Sequence, residues 1–266
     1  MATVIVVANQ KGGIGKTTTS TTTASILNEL GYKTLLIDAD PQGNSSDTYR
    51  AKIEHTATLY DVILDLEDPL PIMEAIQHTD AGDIVASDPQ LKYADVKFPS
   101  DGEEYFRLRD ALEKLEGYDY VVIDTGPADN KMLKNALVAA DKVIIPITAD
   151  RYAIQGLSEL NKTIATQKKR NNPKLEISGL LLVKFKQRQT LAKEVKTALE
   201  DIAARMNTTV FKTSIRECTA AQRSQAARTT LIKYSPNCTT ALDYKDFVKE
   251  LLKGGGQNGK RQNKKS

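Results

Sequence analysis

Short runs of consecutive hydrophobic residues, many of them β-branched, recur along the chain and alternate with stretches of helical periodicity. The runs lie at residues 4–8, 34–37, 120–123, 143–147 and 177–183. Because each run is apolar at successive positions, it is typical of a strand that is buried on both faces. Strands of this kind that alternate with helices predict an α/β fold, a mostly parallel twisted sheet with helices on both faces.

Amphipathic helices are predicted at residues 105–115, 131–140, 156–167 and 191–206, and a further helix through Tyr244, Val248 and Leu251 is expected to dock on the core. Residues 47–101 are irregular and rich in Asp and Pro, with short helical turns predicted near residues 59–64 and 72–76. We interpret residues 47–101 as an excursion from the core.

The chain has 266 residues, of which 40% are hydrophobic and 27% charged, which suits one large α/β domain with a single core. We expect this domain to occupy residues 1–253. Residues 254–266 begin with three glycines and contain four basic residues and no acid, so we expect a basic, disordered tail.

Charge and cysteine content exclude several classes of protein. The net charge of +3 is too small to indicate nucleic-acid binding by itself, so a DNA-binding surface has to be a local patch. Cys218 and Cys238 lack the spacing of a metal or cluster site and are expected as reduced thiols of a cytosolic protein. No secretory signal is recognisable, and no hydrophobic run approaches the ~20 residues that span a bilayer. We therefore expect a soluble, cytoplasmic protein.

A glycine-rich segment follows the first predicted strand and opens a helix; its residues are Gly12, Gly13, Ile14, Gly15, Lys16, Thr17 and Thr18. Glycines let backbone N–H groups close around phosphate oxygens, and the helix dipole adds positive potential. We therefore expect a P-loop that binds ATP, with Lys16 at the β- and γ-phosphates, Thr17 on Mg²⁺ and Thr18 at the α-phosphate. The alternative is a glycine-rich turn that binds nothing, but it leaves the coincidence of strand, loop and helix unexplained.

The helix that the loop opens has an unusual composition. Residues 17–23 are almost all Thr and Ser, which are poor helix formers in isolation. We expect a bound phosphate at the N-terminus to hold this helix.

Carboxylates are predicted at the same edge of the sheet. Asp124 ends the strand at residues 120–123, where ligands of open parallel sheets bind and where a Walker B acid holds Mg²⁺ through water. Asp38 and Asp40 follow the strand at residues 34–37 and are expected to face the P-loop.

The stretch from Lys11 to Thr17, Lys-Gly-Gly-Ile-Gly-Lys-Thr, resembles the deviant Walker family of ATPases that includes ParA and MinD. The resemblance implies that Lys11 reaches across a dimer to the phosphates bound by the other subunit. The alternative for Lys11 is a solvated surface lysine.

Residues 38–44, Asp-Ala-Asp-Pro-Gln-Gly-Asn, resemble the switch segment of that family. The resemblance implies that Asp40 positions or activates the attacking water and that Asp38 supports the metal site. Residues 124–127, Asp-Thr-Gly-Pro, depart from the family's usual Asp-Thr-Pro-Pro, and Gly126 is expected to loosen the segment that senses the γ-phosphate.

The resemblance also suggests residues that contact DNA. Arg188 precedes Gln-Thr-Leu in a stretch similar to the family's Arg-Thr-x-Leu, and Arg216 ends a stretch similar to Thr-x-Ile-Pro-Arg but without the proline. With Lys184 and Lys186, these arginines imply backbone contacts that are independent of sequence and weaken with salt. The alternative is a solvated cationic face.

The resemblance implies a partition ATPase in which an ATP-dependent homodimer binds non-specific DNA on the nucleoid. A ParB-like centromere-binding partner is then expected to accelerate slow hydrolysis and release the dimer. Two alternatives stay open: a MinD-like positioning ATPase for another cargo, and a P-loop metabolic ligase similar to dethiobiotin synthetase. Membrane binding is not expected, because the final helix stops before the glycines.

Overall fold

The computed structural model describes residues 1–185 and 191–254, and this part of the chain is built on a seven-stranded sheet in the order β3-β4-β2-β5-β1-β6-β7. The strands are β1 (Thr3–Val7), β2 (Thr34–Ala39), β3 (Ile76–Thr79), β4 (Gly82–Val85), β5 (Tyr120–Thr125), β6 (Lys142–Thr148) and β7 (Glu176–Val183). All neighbouring strands are parallel except β3, which is antiparallel to β4. This architecture confirms the predicted fold class.

Helices cover both faces of the sheet. They are α1 (Lys16–Glu29), α2 (Asn44–Thr48), α3 (Leu59–Ile63), α4 (Ala94–Lys97), α5 (Arg107–Glu113), α6 (Lys131–Ala139), α7 (Arg151–Arg170), α8 (Leu191–Arg205), α9 (Thr219–Ala226), α10 (Leu231–Tyr234) and α11 (Thr239–Leu252). Short 3₁₀ turns occupy Ile72–Ala75 and Pro89–Tyr93. Within the described ranges, no helix is both long and apolar enough to cross a bilayer.

Two hydrophobic cores sandwich the sheet, because successive strand residues point to opposite faces. In β1, Val4 and Val6 pack into one core with α3, α5, α6, α7 and α8. Ile5 and Val7 pack into the other core with α1, α10 and α11. Strands that are apolar at every position are therefore what this architecture requires.

The five strands predicted from hydrophobic runs are all present, as β1, β2, β5, β6 and β7. The interpretation of residues 47–101 as an excursion from the core was wrong in part. This region contains β3 and β4, and β4 pairs with β2 in the central sheet. Ile84 and Val85 of β4 are fully buried, but the strand is too short to give a recognisable hydrophobic run.

An irregular segment, residues 209–216, covers the outer edge of β7. Leu180 donates its N–H to the carbonyl of Thr209 and accepts from Phe211, and Ile215 donates to the carbonyl of Leu182. The segment approaches so closely that only a glycine fits opposite it: a Cβ on Gly179 would lie 2.6 Å from the ring of Phe211. The edge of the sheet is thus hydrogen-bonded without a further strand.

The predicted tail begins where the described residues end, so residues 255–266 lie outside them. The predicted docking helix is α11, and its Tyr244, Val248 and Leu251 are buried in the core shared with α1.

Candidate functional site

The carboxyl ends of three adjacent strands, β2, β5 and β1, bring the predicted phosphate and carboxylate residues together. Val7, the last residue of β1, is in register with Asp124 of β5, and Asp124 is in register with Asp38 of β2. The P-loop follows β1 directly, so it lies over the same edge. This is the position at which open parallel sheets bind ligands.

The P-loop has an open conformation that depends on its glycines. Gly13 and Gly15 have φ angles of 70° and 92°, in the left-handed region where side chains are strained. A Cβ placed on Gly12, Gly13 or Gly15 would have no atom within 4 Å, so the loop encloses empty space. No side chain caps the N-terminus of α1, whose first N–H groups face this space. The loop therefore forms a cradle for an anion.

The cradle is one end of a cavity of about 620 Å³. Its walls include residues 12–18, Asp40 and Asn44 on one side and residues 215–218, α9 and Tyr244 on the other. A cavity of this size accommodates a nucleotide.

Lys16 is buried at the base of the cradle. Its Nζ donates to the carbonyl of Lys11 at 3.0 Å, and only 7% of the residue is exposed. Burial lowers the pKa of Lys16, and the nearby carboxylates of Asp124 and Asp40 partly offset this. The ammonium group is thus held where phosphate oxygens would enter, beside the two acids predicted for the site.

Asp124 is fully buried behind the P-loop and is held by hydroxyl groups. Ser20 donates to its Oδ1 at 2.9 Å, Ser45 donates to its Oδ2 at 2.8 Å, and the side chain of Thr17 also hydrogen-bonds to it. Burial raises the pKa of Asp124, while these hydroxyl donors lower it in part. The contact between Thr17 and Asp124 brings together a hydroxyl and a carboxylate, both of which Mg²⁺ accepts as partners.

The donor set fits magnesium in particular. Among the described residues, no cluster of three or more His, Cys, Asp or Glu side chains forms a protein cage for a metal. Mg²⁺ does not need one, since it usually takes one or two protein groups together with phosphate oxygens and water. The pair of Thr17 and Asp124 at the cradle meets this requirement.

Asp38, predicted to support the metal site, is fully buried, as Asp124 is. Its carboxylate does not line the cavity: Oδ2 accepts from the N–H and hydroxyl of Ser46, and Oδ1 accepts from the N–H of Asp40. Burial raises the pKa of Asp38, and the neighbouring Asp124 raises it further. Asp38 therefore orders the segment from Asp40 to Ser46 from behind.

Asp40 lines the cavity, as a residue that positions water would have to. Its Oδ1 accepts from the N–H of Gln42 at 3.0 Å. Gly126 lies against this carboxylate, because a Cβ at that position would be 3.2 Å from Oδ1 of Asp40. Glycine in place of the family's usual proline at position 126 thus leaves room for the Asp40 carboxylate. The sequence did not reveal that these two residues are in contact.

Lys11 points away from the cavity of its own chain and is absent from the cavity wall. Its Nζ forms an ion pair with both carboxylate oxygens of Asp150, at 2.8 and 2.9 Å. The side chains are 36% and 39% exposed, so neither is buried or fully solvated. The loop therefore carries one lysine inside the site and one outside it.

The Thr-rich helix α1 is held by packing, so the expectation that a bound phosphate must hold it was wrong. Residues 19–27 are buried, against β5 and α11 among other elements. Thr19 donates to the carbonyl of Gly15 at 2.9 Å and contacts the hydroxyl of Tyr244 at 2.9 Å. The hydroxyl groups of Ser20 and Thr21 likewise donate to the carbonyls of the preceding turn, which satisfies them inside the buried helix.

Of the residues predicted to contact DNA, the two that the structure describes, Lys184 and Arg216, both line the cavity. Arg188 and Lys186 lie outside the described residues. Lys184 lies in the cavity wall, where its Nζ donates to the carbonyl of Gly13 at 2.6 Å. Arg216 forms a two-pronged ion pair with Asp243, at 2.9 and 2.6 Å, and its side chain is 45% exposed.

Several residues of the site were not found from the sequence. Gln225 of α9 donates to the hydroxyl of Thr18 at 3.1 Å across more than 200 positions of the chain. Asp150 and Tyr244 contact the P-loop or its helix from similarly distant positions. Only the tertiary fold brings these residues to the site, and no local pattern marks them.

Comparison with known proteins places the chain among characterised relatives. A family model described as an AAA domain matches residues 2–177. The chromosome partitioning protein ParA of Caulobacter vibrioides is 32% identical over 94% of this chain and 93% of that protein. The sporulation initiation inhibitor protein Soj of Bacillus subtilis is 33% identical over 96% of this chain and its entire length.

A solved structure shows the same fold with ligands. Cobyrinic acid a,c-diamide synthase from Mycobacterium smegmatis, with a bound ATP analog and magnesium, superposes with a TM-score of 0.79. It is 30% identical and covers 95% of each chain.

Proposed function

The chain belongs to the AAA-domain family of ParA-like P-loop ATPases, and on that premise we propose that it is a DNA-partition ATPase. Two copies close face to face around ATP, and the closed pair binds DNA without reading its sequence. Hydrolysis, accelerated by a ParB-like partner, separates the pair and releases the DNA. The cofactors are ATP and Mg²⁺, and a relative of the same fold holds an ATP analog and magnesium.

The P-loop supports the nucleotide assignment. Its open cradle, the N-terminus of α1 and the buried ammonium of Lys16 all favour a polyphosphate. Bound Mg²⁺ supplies positive charge that stabilises phosphate oxygens. Thr17 and Asp124 would hold this ion, and Thr18 would orient the phosphate chain.

The position of Lys11 is the observation that carries the proposal. Lys16 faces the cavity of its own chain, whereas Lys11 lies outside that cavity, where it is paired with Asp150. A lysine on the outside of a P-loop is placed to enter the site of a second copy, much as an arginine finger does. ATP would then bridge two chains.

Asp40 is the residue to which we assign the positioning of water. It lines the cavity, and its backbone is fixed by Asp38 and by Ser87, whose hydroxyl donates to its carbonyl at 2.6 Å. A carboxylate fixed from behind holds a water in one orientation. We expect ATP hydrolysis by the protein alone to be slow, so that the ParB-like partner controls when it occurs.

DNA binding rests on the relatives and on Arg188 and Arg216. Each arginine alone contributes a weak phosphate contact, and a dimer presents two of each. Pairing of the chains raises the effective concentration of the second patch once the first is bound. The nucleotide state would set DNA affinity in this way, and the DNA-bound form would be located on the nucleoid.

The proposal is tested by comparing Lys16→Ala and Lys11→Ala in ATP-dependent dimerisation and DNA retention. We expect Lys16→Ala to lose nucleotide binding, and Lys11→Ala to bind nucleotide as a monomer and to lose DNA retention. Lys174→Ala, at an exposed loop position, is the matched control and should behave as wild type. A Lys11→Ala protein that dimerises and retains DNA normally would contradict the role across the dimer.

The likeness to cobyrinic acid a,c-diamide synthase favours one second candidate, a P-loop enzyme that acts on a small molecule. A MinD-like ATPase that positions another cargo is a third reading. Sedimentation with naked DNA and with anionic liposomes, each with and without ATP, separates the three. A partition ATPase pellets with DNA, a membrane-positioning ATPase with liposomes, and a small-molecule enzyme with neither.

A further inference from the structure

Cys218 lies in the wall of the nucleotide cavity, and Cys238 lies close to it behind that wall, although 20 positions separate them in the sequence. Cys218 precedes α9 and Cys238 precedes α11, each as the N-cap residue of its helix. The two thiols are close enough to influence each other's pKa, and both are free and half-buried.

Hydrogen bonds fix the two chain segments beside the thiols. The hydroxyl of Thr240 donates to the carbonyl of Arg216 at 2.6 Å, and the N–H of Arg216 donates to Asp243 at 2.9 Å. These bonds connect the residues just before Cys218 to the residues just after Cys238. The contact between the thiols is therefore part of the fold and does not depend on a loose loop.

The thiols differ in reactivity. Burial opposes ionisation of Cys218, but hydrogen bonds from Thr240, Ala221 and Cys238 outweigh it and lower the pKa of this thiol. Burial raises the pKa of Cys238, and its contact with Cys218 adds to the rise. Cys218 is thus the attacking thiol and Cys238 the resolving one.

Cys218 also lines the nucleotide cavity, with Ala221, Gln222 and Gln225 of α9. A bond between the two cysteines would close a loop of α9 and α10, and α9 reaches the P-loop through Gln225 and Thr18. A nucleotide in the cavity would cover Cys218. A disulfide between Cys218 and Cys238 would in turn constrain α9, which forms part of the cavity wall.

We propose that Cys218 and Cys238 form a reversible thiol–disulfide site that low-molecular-weight disulfides reach through the nucleotide cavity and that bound nucleotide shields. The shielding rests on the nucleotide assignment above, whereas bridge formation does not. In a reducing compartment such a bridge would be transient, as regulatory disulfides are.

The chemistry is two successive exchanges. Cys218, after losing its proton to solvent, attacks one sulfur of the oxidant disulfide, and the other half of the oxidant leaves as a thiol. Cys238 then loses its proton and attacks the sulfur of Cys218, forming the bridge and releasing the second half as a thiol. The protein loses two protons and two electrons, and the two halves of the oxidant gain them as two thiols.

The shielding has a thermodynamic counterpart. If nucleotide and the bridge affect the same wall, each changes the equilibrium of the other by the same factor. The oxidised protein would therefore bind nucleotide with an affinity different from that of the reduced protein, and a reductant would reverse the change.

Bridge formation is tested on the full chain without nucleotide, by reaction with oxidised glutathione and intact-mass measurement. We expect wild type to lose two hydrogens and to keep no glutathione. Cys238→Ser, which retains the attacking thiol, should instead keep one glutathione per chain, and Cys218→Ser, which retains only the resolving thiol, should react more slowly. Wild type that ends with glutathione on both thiols, or unreacted while a single-thiol variant reacts, would overturn the proposal.

Shielding is tested by repeating the reaction with saturating ADP and Mg²⁺, with nucleotide binding measured separately by equilibrium dialysis. We expect the reaction of Cys218 in Cys238→Ser to slow about tenfold or more. In Lys16→Ala the bridge should form and the nucleotide should give no protection. If the reaction rate of Cys218 is unchanged at saturating ADP, the shielding is overturned. If wild type does not bind ADP, the proposed function is overturned, and bridge formation is still decided by the first experiment.

Discussion

Two lysines five positions apart on the P-loop have different environments, and the difference supports the two roles proposed for them. Lys16 is buried beside Asp124 and Asp40, where removing the ammonium would leave carboxylates without a counter-charge. Lys11 is paired with Asp150 in a partly exposed position. Such pairs contribute only about 0–1 kcal/mol, so a triphosphate on a second chain competes easily for Lys11.

Asp150→Asn therefore tests the pairing of Lys11. Removing the charge releases Lys11, and the ATP concentration needed for dimerisation should fall about twofold to fivefold, as expected for a pair worth up to ~1 kcal/mol. Light scattering during an ATP titration measures this. The double variant with Lys11→Ala should not dimerise at all, and weaker dimerisation of Asp150→Asn would show that the pair supports the dimer instead.

Gly126→Ala tests the placement of Asp40. The added Cβ would lie 3.2 Å from Oδ1 of Asp40 and should push the carboxylate from its position. ATP turnover should fall about tenfold while nucleotide affinity stays near wild type, because a small misplacement costs rate more than binding. Gly156→Ala, whose Cβ meets no atom within 4 Å, is the control. Unchanged turnover in Gly126→Ala would remove Asp40 from the hydrolytic step.

Residues of the site were predictable from the sequence where they form a contiguous motif. Residues 12–18 and the acid at the end of β5 have strand, loop and helix context in the sequence itself. Asp38 was placed at the correct edge and its metal role stays a prediction, while its hydrogen bonds to Ser46 and Asp40 were not predictable, because spacing alone does not show which way a carboxylate points. Asp150 and Gln225 were missed, since only the tertiary fold brings them to the loop.

At the scale of elements, β7 and the segment that covers it depend on close approach. Gly179→Ala would place a Cβ 2.6 Å from the ring of Phe211, which is packed edge-to-face on Phe247. We expect a loss of about 1–3 kcal/mol in the free energy of unfolding, measured by urea denaturation of the nucleotide-free protein. Adding Phe211→Leu should recover part of this loss.

Gly156→Ala is the control for Gly179→Ala, because it adds the same methyl group where there is no close contact. Gly156 lies within α7 and has open space where its Cβ would be. Gly156→Ala should raise the free energy of unfolding by roughly 0.5–1 kcal/mol, the opposite sign, because alanine favours the helix. If both alanine variants destabilise the protein equally, the close approach at Gly179 is not the cause.

Elements were predictable in proportion to their length and pattern. Five strands have hydrophobic runs long enough to be recognised, whereas β3 and β4 have four residues each and lie in an Asp-rich region. Helix α1 has almost no amphipathic pattern because it is buried on all sides, and the hydroxyl groups of Thr19 and Ser20 bond to its own backbone and to Asp124. Tertiary packing stabilises it against its composition.

At the scale of the whole molecule, pairing should change how DNA binding responds to salt. The logarithm of the binding constant falls linearly with the logarithm of salt concentration, with a slope set by the number of phosphate contacts. A pair of chains has about twice the contacts of one, so the slope with ATP should be about twice that with ADP. DNA retention measured over a range of KCl concentrations tests this, and equal slopes would contradict it.

The covered edge of β7 has a consequence for how copies of the chain meet. Exposed strand edges invite uncontrolled addition of further strands, which leads to aggregates. In the described part of the chain, one outer strand is occupied by residues 209–216 and the other, β3, is only four residues long. Strand addition is thus discouraged at both ends, so the proposed reversible pairing around a small ligand has no competing route through the sheet edges.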